Sequence, residues 1–128
     1  MDKKTFSKLV LWQVVLLVVM FVLGTELADF MFVTVVKPPA RVVILLDLHI
    51  VLGVIVTLLA VAIYVGSLDL RNATVKKTSL IALIFMLVSL MAGTVFVLKA
   101  GNTYFEYIIS LSFIILFGAY MYLVGMKY

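Results

Sequence analysis

Apolar residues fill four long runs along the chain, and charged residues separate the runs. The uncharged runs are 17 to 21 residues long: Leu9–Thr25, Leu48–Leu68, Thr78–Leu98 and Tyr107–Met126. About 20 apolar residues in a helix, each rising 1.5 Å, cross a hydrocarbon core of about 30 Å. The runs do not alternate between apolar and polar residues as spanning strands do, and a helix satisfies its own backbone groups in lipid. The pattern therefore predicts four transmembrane helices.

The connections between the runs are short, so consecutive helices should lie side by side and run in opposite directions. We predict spans at about residues 9–25, 42–66, 78–98 and 107–126 within a single transmembrane domain, 1–128. The expected fold is an all-α, integral-membrane, up-down-up-down four-helix bundle. The stretch Phe30–Val36 either continues the first helix by two turns or lies along the outer membrane interface.

Composition supports the same class. The chain has 128 residues, of which 66% are apolar and 12% are charged, whereas soluble domains average about half apolar and a quarter charged. A soluble enzyme, a secreted disulfide scaffold and a nucleic-acid-binding domain are therefore excluded or disfavoured. The sequence has no cysteine, which rules out disulfides, thiolate metal sites and iron–sulfur clusters.

Basic residues predict the orientation. Seven of them lie in the amino-terminal tail, the connection between spans two and three, and the carboxyl end: Lys3, Lys4, Lys8, Arg71, Lys76, Lys77 and Lys127. Three lie on the opposite side: Lys37, Arg41 and Lys99. We expect the protein in the plasma membrane, and the positive-inside rule then predicts that both termini lie in the cytoplasm. The net charge of +4 reflects this bias, so we expect no nucleic-acid partner.

Small residues mark where helices could approach one another closely in lipid. The candidate packing positions are Gly53, Ala62, Gly66, Ser89, Gly93 and Gly118. Ala62 and Gly66, like Ser89 and Gly93, have the four-residue spacing of small residues that lets two backbones pack. These positions belong either to contacts within the bundle or to a face that binds a partner.

His49 is the only histidine of the chain, and it lies eight residues after Arg41, roughly 12 Å along a helix. It is predicted either to bind haem iron, another metal or a quinone, or to be a neutral side chain bonded to a neighbouring helix. Met91, eight residues before Lys99, lies at a similar predicted depth. Because His and Met form a known axial pair for haem, Met91 is a candidate second ligand. In a homodimer, two copies of His49 could meet instead.

Acidic residues gather at the predicted outer side, namely Glu26, Asp29, Asp47 and Glu106. Such a group could bind a divalent cation or relay protons. Alternatively, its members are solvated or paired with Lys37, Arg41 and Lys99. We predict no catalytic residue and no metal site, because one histidine, no cysteine and no glycine-rich loop cannot form a conventional hydrolase or phosphate site.

The segment Leu48–Gly53, with its His-x-x-x-Gly pattern, resembles the second span of the four-helix halves of haem A synthases. Ala92–Val95 is similar to the third span of those halves. The resemblance implies a helical bundle and a b-type haem at His49. The chain departs from that family at Leu46, where the synthases carry a glutamate, and in the fourth span, which has no second histidine.

The chain also looks like small four-span archaeal and actinobacterial proteins of unassigned function, through Gly24, His49–Gly53, Ala92-Gly93 and Asn102–Tyr104; that resemblance implies only the fold. We therefore expect a non-catalytic small membrane subunit or assembly factor of a larger complex, respiratory or quinol-linked. The alternative is an electron-transfer bundle that binds haem b or quinone at His49. Expected partners are other membrane-protein subunits and membrane lipids.

Overall fold

The computed structural model describes residues 1–31, 39–98 and 103–126, without the side chains of residues 29–31 and 103. Four helices make up nearly all of this part: α1 Lys3–Met31, α2 Ala40–Leu68, α3 Ala73–Leu98 and α4 Thr103–Gly125. Each helix contains a stretch that is long and apolar enough to cross a membrane. The prediction of an all-α chain with four apolar helices is confirmed.

The helices are 23 to 29 residues long and extend beyond the predicted spans. The largest extension is in α1, which starts at Lys3 and continues past Thr25 to Met31. Charged residues limit the part of a helix that fits the hydrocarbon core, but water satisfies the backbone just outside it, so the helix need not end there. The predicted stretch Phe30–Val36 lies mostly outside the described residues.

Side-chain caps mark the start of two helices, and a proline precedes a third. The Asp2 carboxylate accepts a hydrogen bond from the Thr5 N–H at 2.7 Å, and this caps the start of α1. Asn72 caps α3 by accepting from the Thr74 N–H at 3.0 Å and the Val75 N–H at 3.2 Å. Pro39, with a φ of −60°, precedes α2, where a missing N–H and a fixed φ are well tolerated.

Each helix packs against two neighbours, in the order α1–α2–α3–α4 and back to α1, and no contact between diagonal helices occurs in the described residues. Gln13 on α1 meets Val56 on α2, and further along α1 Gly24 meets His49. Since the numbers rise on α1 while they fall on α2, these helices are antiparallel. We call the half of the bundle near residues 3, 68, 73 and 125 the terminal half and the other half the distal half.

The fully buried core belongs to the terminal half and to the midplane of the bundle. On each helix the buried positions recur at steps of three and four residues, the spacing of a bundle seam. They are Phe6, Val10, Gln13 and Leu17; Val56, Ala60, Ile63 and Ser67; Val75, Ser79, Ala82 and Met86; and Ser112, Leu116, Tyr120 and Leu123. Continued into the distal half, the same steps reach the half-buried Gly24, His49, Ser89 and Gly93 and also the buried Gly53, Leu27, Val42 and Ala92, of which the last three are 6–7% exposed.

The predicted packing positions differ in their surroundings. Gly53 and Gly66 are buried: a Cβ atom on Gly53 would lie 3.7 Å from Met20 Cε, and one on Gly66 would collide with the Met1 side chain. Ser89 is half-buried. Ala62 and Gly118 are exposed, and a Cβ atom on Gly93 or Gly118 would meet nothing within 4 Å. For these last positions, contact with a partner stays a prediction.

Candidate functional site

His49 lies on the inward-facing stripe of α2 in the distal half and packs against α1. A Cβ atom placed on Gly24 would lie 3.3 Å from His49 Cε1 and 4.0 Å from His49 Nδ1. Gly24 thus makes room for the imidazole edge. His49 Nδ1 is enclosed and has no hydrogen-bond partner in the described part of the chain. An enclosed polar atom without a partner is destabilising, so it marks His49 as the candidate site.

The level of His49 in the bundle follows from its contacts. Asp47, which is exposed, precedes His49 by two residues on α2, about 3 Å along the helix axis. On α1, the exposed carboxylate of Glu26 follows Gly24 by two residues. His49 therefore lies close to the level of these two carboxylates. Along α2, which begins at Ala40, His49 lies eight residues after Arg41, about 12 Å along the helix axis.

Met91 belongs to a different interface. Its side chain is 71% exposed and lines an open groove of about 270 Å³ between α3 and α4. The remaining lining residues are all apolar: Val88, Ala92, Val95, Phe105 and Ile108. His49 packs on α1, whereas Met91 faces this groove, so the structure does not bring the two side chains together. Ligation by either residue stays a prediction.

The outer acidic residues are spread over the rim of the distal half. Glu26 pairs with Arg41 at 3.5 Å, and both side chains are exposed. Glu106 is half-buried in the first turn of α4, where a negative charge is favoured by the helix dipole. The Asp29 side chain, Lys37 and Lys99 lie outside the described residues. Within the described ranges, no three His, Cys, Asp or Glu residues form a group that could hold a metal ion.

A second polar group, which the sequence analysis did not assemble, lies in the terminal half. Gln13 is completely buried, and its side-chain N–H donates to the Val56 carbonyl at 3.0 Å. Tyr120 on α4 is equally buried and its hydroxyl lies beside the Gln13 side chain, although neither Gln13 Oε1 nor the Tyr120 hydroxyl has hydrogen-bonding geometry to a partner. The position of Gln13 between Val10 and Leu17, in step with the seam, is the signal that could have predicted its burial.

Together, the fold and this distribution of polar groups define a polytopic helical protein, one with four helices suited to crossing a membrane. One half of its interior is closely packed, and the other half carries a histidine. Comparison of the chain with protein-family models, with curated proteins and with solved structures finds no match.

Proposed function

We propose that the chain is a non-catalytic integral-membrane subunit or assembly factor that packs inside the bilayer against another membrane protein. The groove between α3 and α4 supports this most directly, because the described residues leave this apolar surface of the distal half unfilled. Helices associate in lipid through close van der Waals packing, and a side chain from a partner helix would fill such a groove. The exposed Gly118 on α4 offers a further close approach.

We place both termini in the cytoplasm of the plasma membrane on the basis of the seven-to-three distribution of basic residues. The distal half then faces outward. The proposed host is a respiratory or other quinol-linked complex. This assignment is supported by the resemblance of Leu48–Gly53 to a haem-handling membrane family and by the small share of the described chain that lies outside the helices.

Crosslinking from the groove tests the proposal, and the absence of native cysteine makes single-cysteine variants straightforward. A photoreactive group on Met91→Cys should capture one membrane protein in native membranes, identifiable as a respiratory-complex subunit and retained in mild detergent. The matched control is Leu58→Cys, which is 64% exposed on α2 and should not capture it. Capture of lipid alone from both positions, with a stable monomer in mild detergent, would overturn the proposal.

The second candidate function is binding of haem b or a quinone at His49, and it is supported by the inward position of the imidazole against Gly24. Haem would give the purified protein a Soret absorption band that His49→Ala abolishes. A colourless preparation in mild detergent would exclude haem while leaving a quinone in place as the candidate ligand.

A further inference from the structure

The two ring nitrogens of His49 have different surroundings. Nδ1 is enclosed, on the part of the ring that faces Gly24, and has no hydrogen-bond partner among the described residues. His49 as a whole is only half-buried, and Nε2 is not one of the enclosed unpartnered atoms. The ring therefore keeps Nδ1 inside the bundle and presents Nε2 to the surroundings of the distal half.

This asymmetry decides where a neutral imidazole carries its single proton. One ring nitrogen of a neutral histidine is a donor and the other is an acceptor, and the hydrogen bond available to each nitrogen selects the tautomer. A proton on Nδ1 would be a buried donor with no acceptor, which costs more than leaving the Nδ1 lone pair without a donor. A proton on Nε2, in contrast, allows that nitrogen to donate a hydrogen bond to an acceptor outside the chain.

The same surroundings disfavour His49 as an iron ligand. A histidine that binds a metal through Nε2 donates its Nδ1–H to a carboxylate, a backbone carbonyl or a water molecule, and this bond orients the ring. No carboxylate or backbone carbonyl of the described ranges accepts a hydrogen bond from Nδ1. The ring is better suited to donate a hydrogen bond from Nε2 than to coordinate iron there.

We propose that the Nε2–H of His49 donates a hydrogen bond to a carbonyl oxygen of a membrane-soluble quinone. This narrows the second candidate function to one ligand class and rests on it. Half-buried leucines flank the histidine on the same side of α2, namely Leu45, Leu46 and Leu52, and such apolar neighbours suit a neutral ligand with an apolar tail. A quinone carries its acceptors as ring carbonyls, and His49 lies near the level of Asp47 and Glu26, where a polar head would meet the interface. Phospholipid ester carbonyls share this chemistry and this level.

Because His49 is the only histidine, ¹⁵N-histidine labelling yields an NMR spectrum of this one residue. The protein is placed in nanodiscs of ether-linked phospholipid, which has no ester carbonyl. We expect the Nε2–H tautomer at neutral pH. Addition of decylubiquinone should then shift the Nε2 resonance in a saturable manner and shift the Nδ1 resonance less.

Variants test whether the hydrogen bond contributes to binding. His49→Leu should weaken decylubiquinone binding about tenfold, the value of one hydrogen bond of about 1.4 kcal/mol. His49→Gln keeps an N–H donor, so it should lose less affinity for decylubiquinone than His49→Leu does. Val54→Leu, at a 51% exposed position on a different face of α2 from His49, should bind as the wild type does.

Several outcomes would overturn the proposal: the Nδ1–H tautomer, no saturable shift in ether-linked lipid, or equal affinity of wild type and His49→Leu. A shift that ester-linked lipid alone produces, with no further effect of decylubiquinone, would identify a lipid headgroup contact instead. A Soret band dependent on His49 would identify an iron ligand. None of these outcomes depends on the crosslinking from Met91, so the packing function and the quinone site can fail separately.

Discussion

The two halves of the bundle differ in how completely their inward-facing residues are buried. In the terminal half, large side chains such as Phe6, Ile63 and Tyr120 interlock at inward positions and are completely buried. In the distal half, many of the corresponding positions are half-buried, such as Gly24, His49 and Gly93, and the buried Leu27, Val42 and Ala92 each keep 6–7% of their surface exposed. The packing of the terminal half therefore determines how the four helices assemble. The distal half leaves part of its surface available for contact with other molecules.

The physical reason is that lipid tails are as apolar as leucine, so burial alone does not hold membrane helices together. Tight contacts and interhelical hydrogen bonds remain as stabilising terms, and the bond from Gln13 to the Val56 carbonyl is of this kind. Binding regions are usually drawn from the less stable parts of a fold. The location of His49 and of the α3–α4 groove in the loosely packed half fits this rule.

The largest expected effect compares leucines at inward positions of the two halves. Leu116→Ala removes a side chain that is 1% exposed and should lower the free energy of unfolding by about 2–4 kcal/mol through the cavity it leaves. Leu46→Ala, on the half-buried distal part of the α2 seam, should cost less than half as much. Unfolding in mixed micelles measures both. Equal losses would mean that the halves do not differ in packing.

Removal of the buried amide should have the next largest effect. Gln13→Leu abolishes the bond to the Val56 carbonyl and should destabilise by about 1 kcal/mol, the scale of interhelical hydrogen bonds in membranes. Tyr120→Phe removes a hydroxyl that has no bonded partner and should be nearly neutral. A loss from Tyr120→Phe as large as that from Gln13→Leu would instead show that the hydroxyl bonds to Gln13 Oε1. Trp12→Leu, at a 61% exposed position beside Gln13, serves as the control.

Much of the fold could be predicted from the sequence, because the length and apolarity of each run are local properties. The four helices follow from charges such as Lys8, Glu26 and Lys77, which bracket hydrocarbon-length segments. The ends of the helices were less predictable, since α1 continues past Glu26 to Met31. His49 could be singled out as the only histidine, but its contact with Gly24 depends on the register between α1 and α2.

Other features of the candidate site depend on which face a residue occupies. Depth counting brought Met91 level with His49, yet the rotation of α3 turns Met91 towards the groove beside α4. Successive side chains on a helix point in different directions around its axis. Two residues at the same depth can therefore face different neighbours, so depth alone cannot decide whether their side chains meet. Likewise, the small size of Ala62 and Gly118 does not reveal that both residues are exposed.

Two glycines of the distal half should respond differently to substitution by alanine. At Gly93 a methyl group meets nothing within 4 Å, so Gly93→Ala should stabilise the helix by about 0.5–1 kcal/mol through backbone entropy. At Gly24 the methyl group would press on His49 Cε1 at 3.3 Å, which should cancel that gain. The cancellation should disappear in a His49→Ala background. Equal stabilisation by both alanines in the wild-type background would argue against the contact between Gly24 and His49.

The smallest expected effect is an acid-dependent loss at the start of α1, which belongs to the terminal half. The hydrogen bond from the Thr5 N–H lowers the pKa of Asp2 below its usual value of 3.8. A carboxyl group whose pKa is lower in the folded state contributes stability above its unfolded pKa, and that contribution is lost as the pH falls through the folded pKa. The wild type should therefore lose some stability below about pH 4 through this group.

Asp69 titrates with the same sign, because its hydrogen bond with the Met1 amino group lowers the pKa of the Asp69 carboxyl. The comparison is therefore made between Asp69→Asn and the Asp69→Asn/Asp2→Asn double variant. Asparagine still caps a helix but does not titrate, so the double variant should show a flatter loss of thermal stability below pH 4. Identical acid profiles of the single and the double variant would mean that the Asp2 cap is absent or equally formed in the unfolded chain. The stability of the terminal half would then come from its packed interior alone.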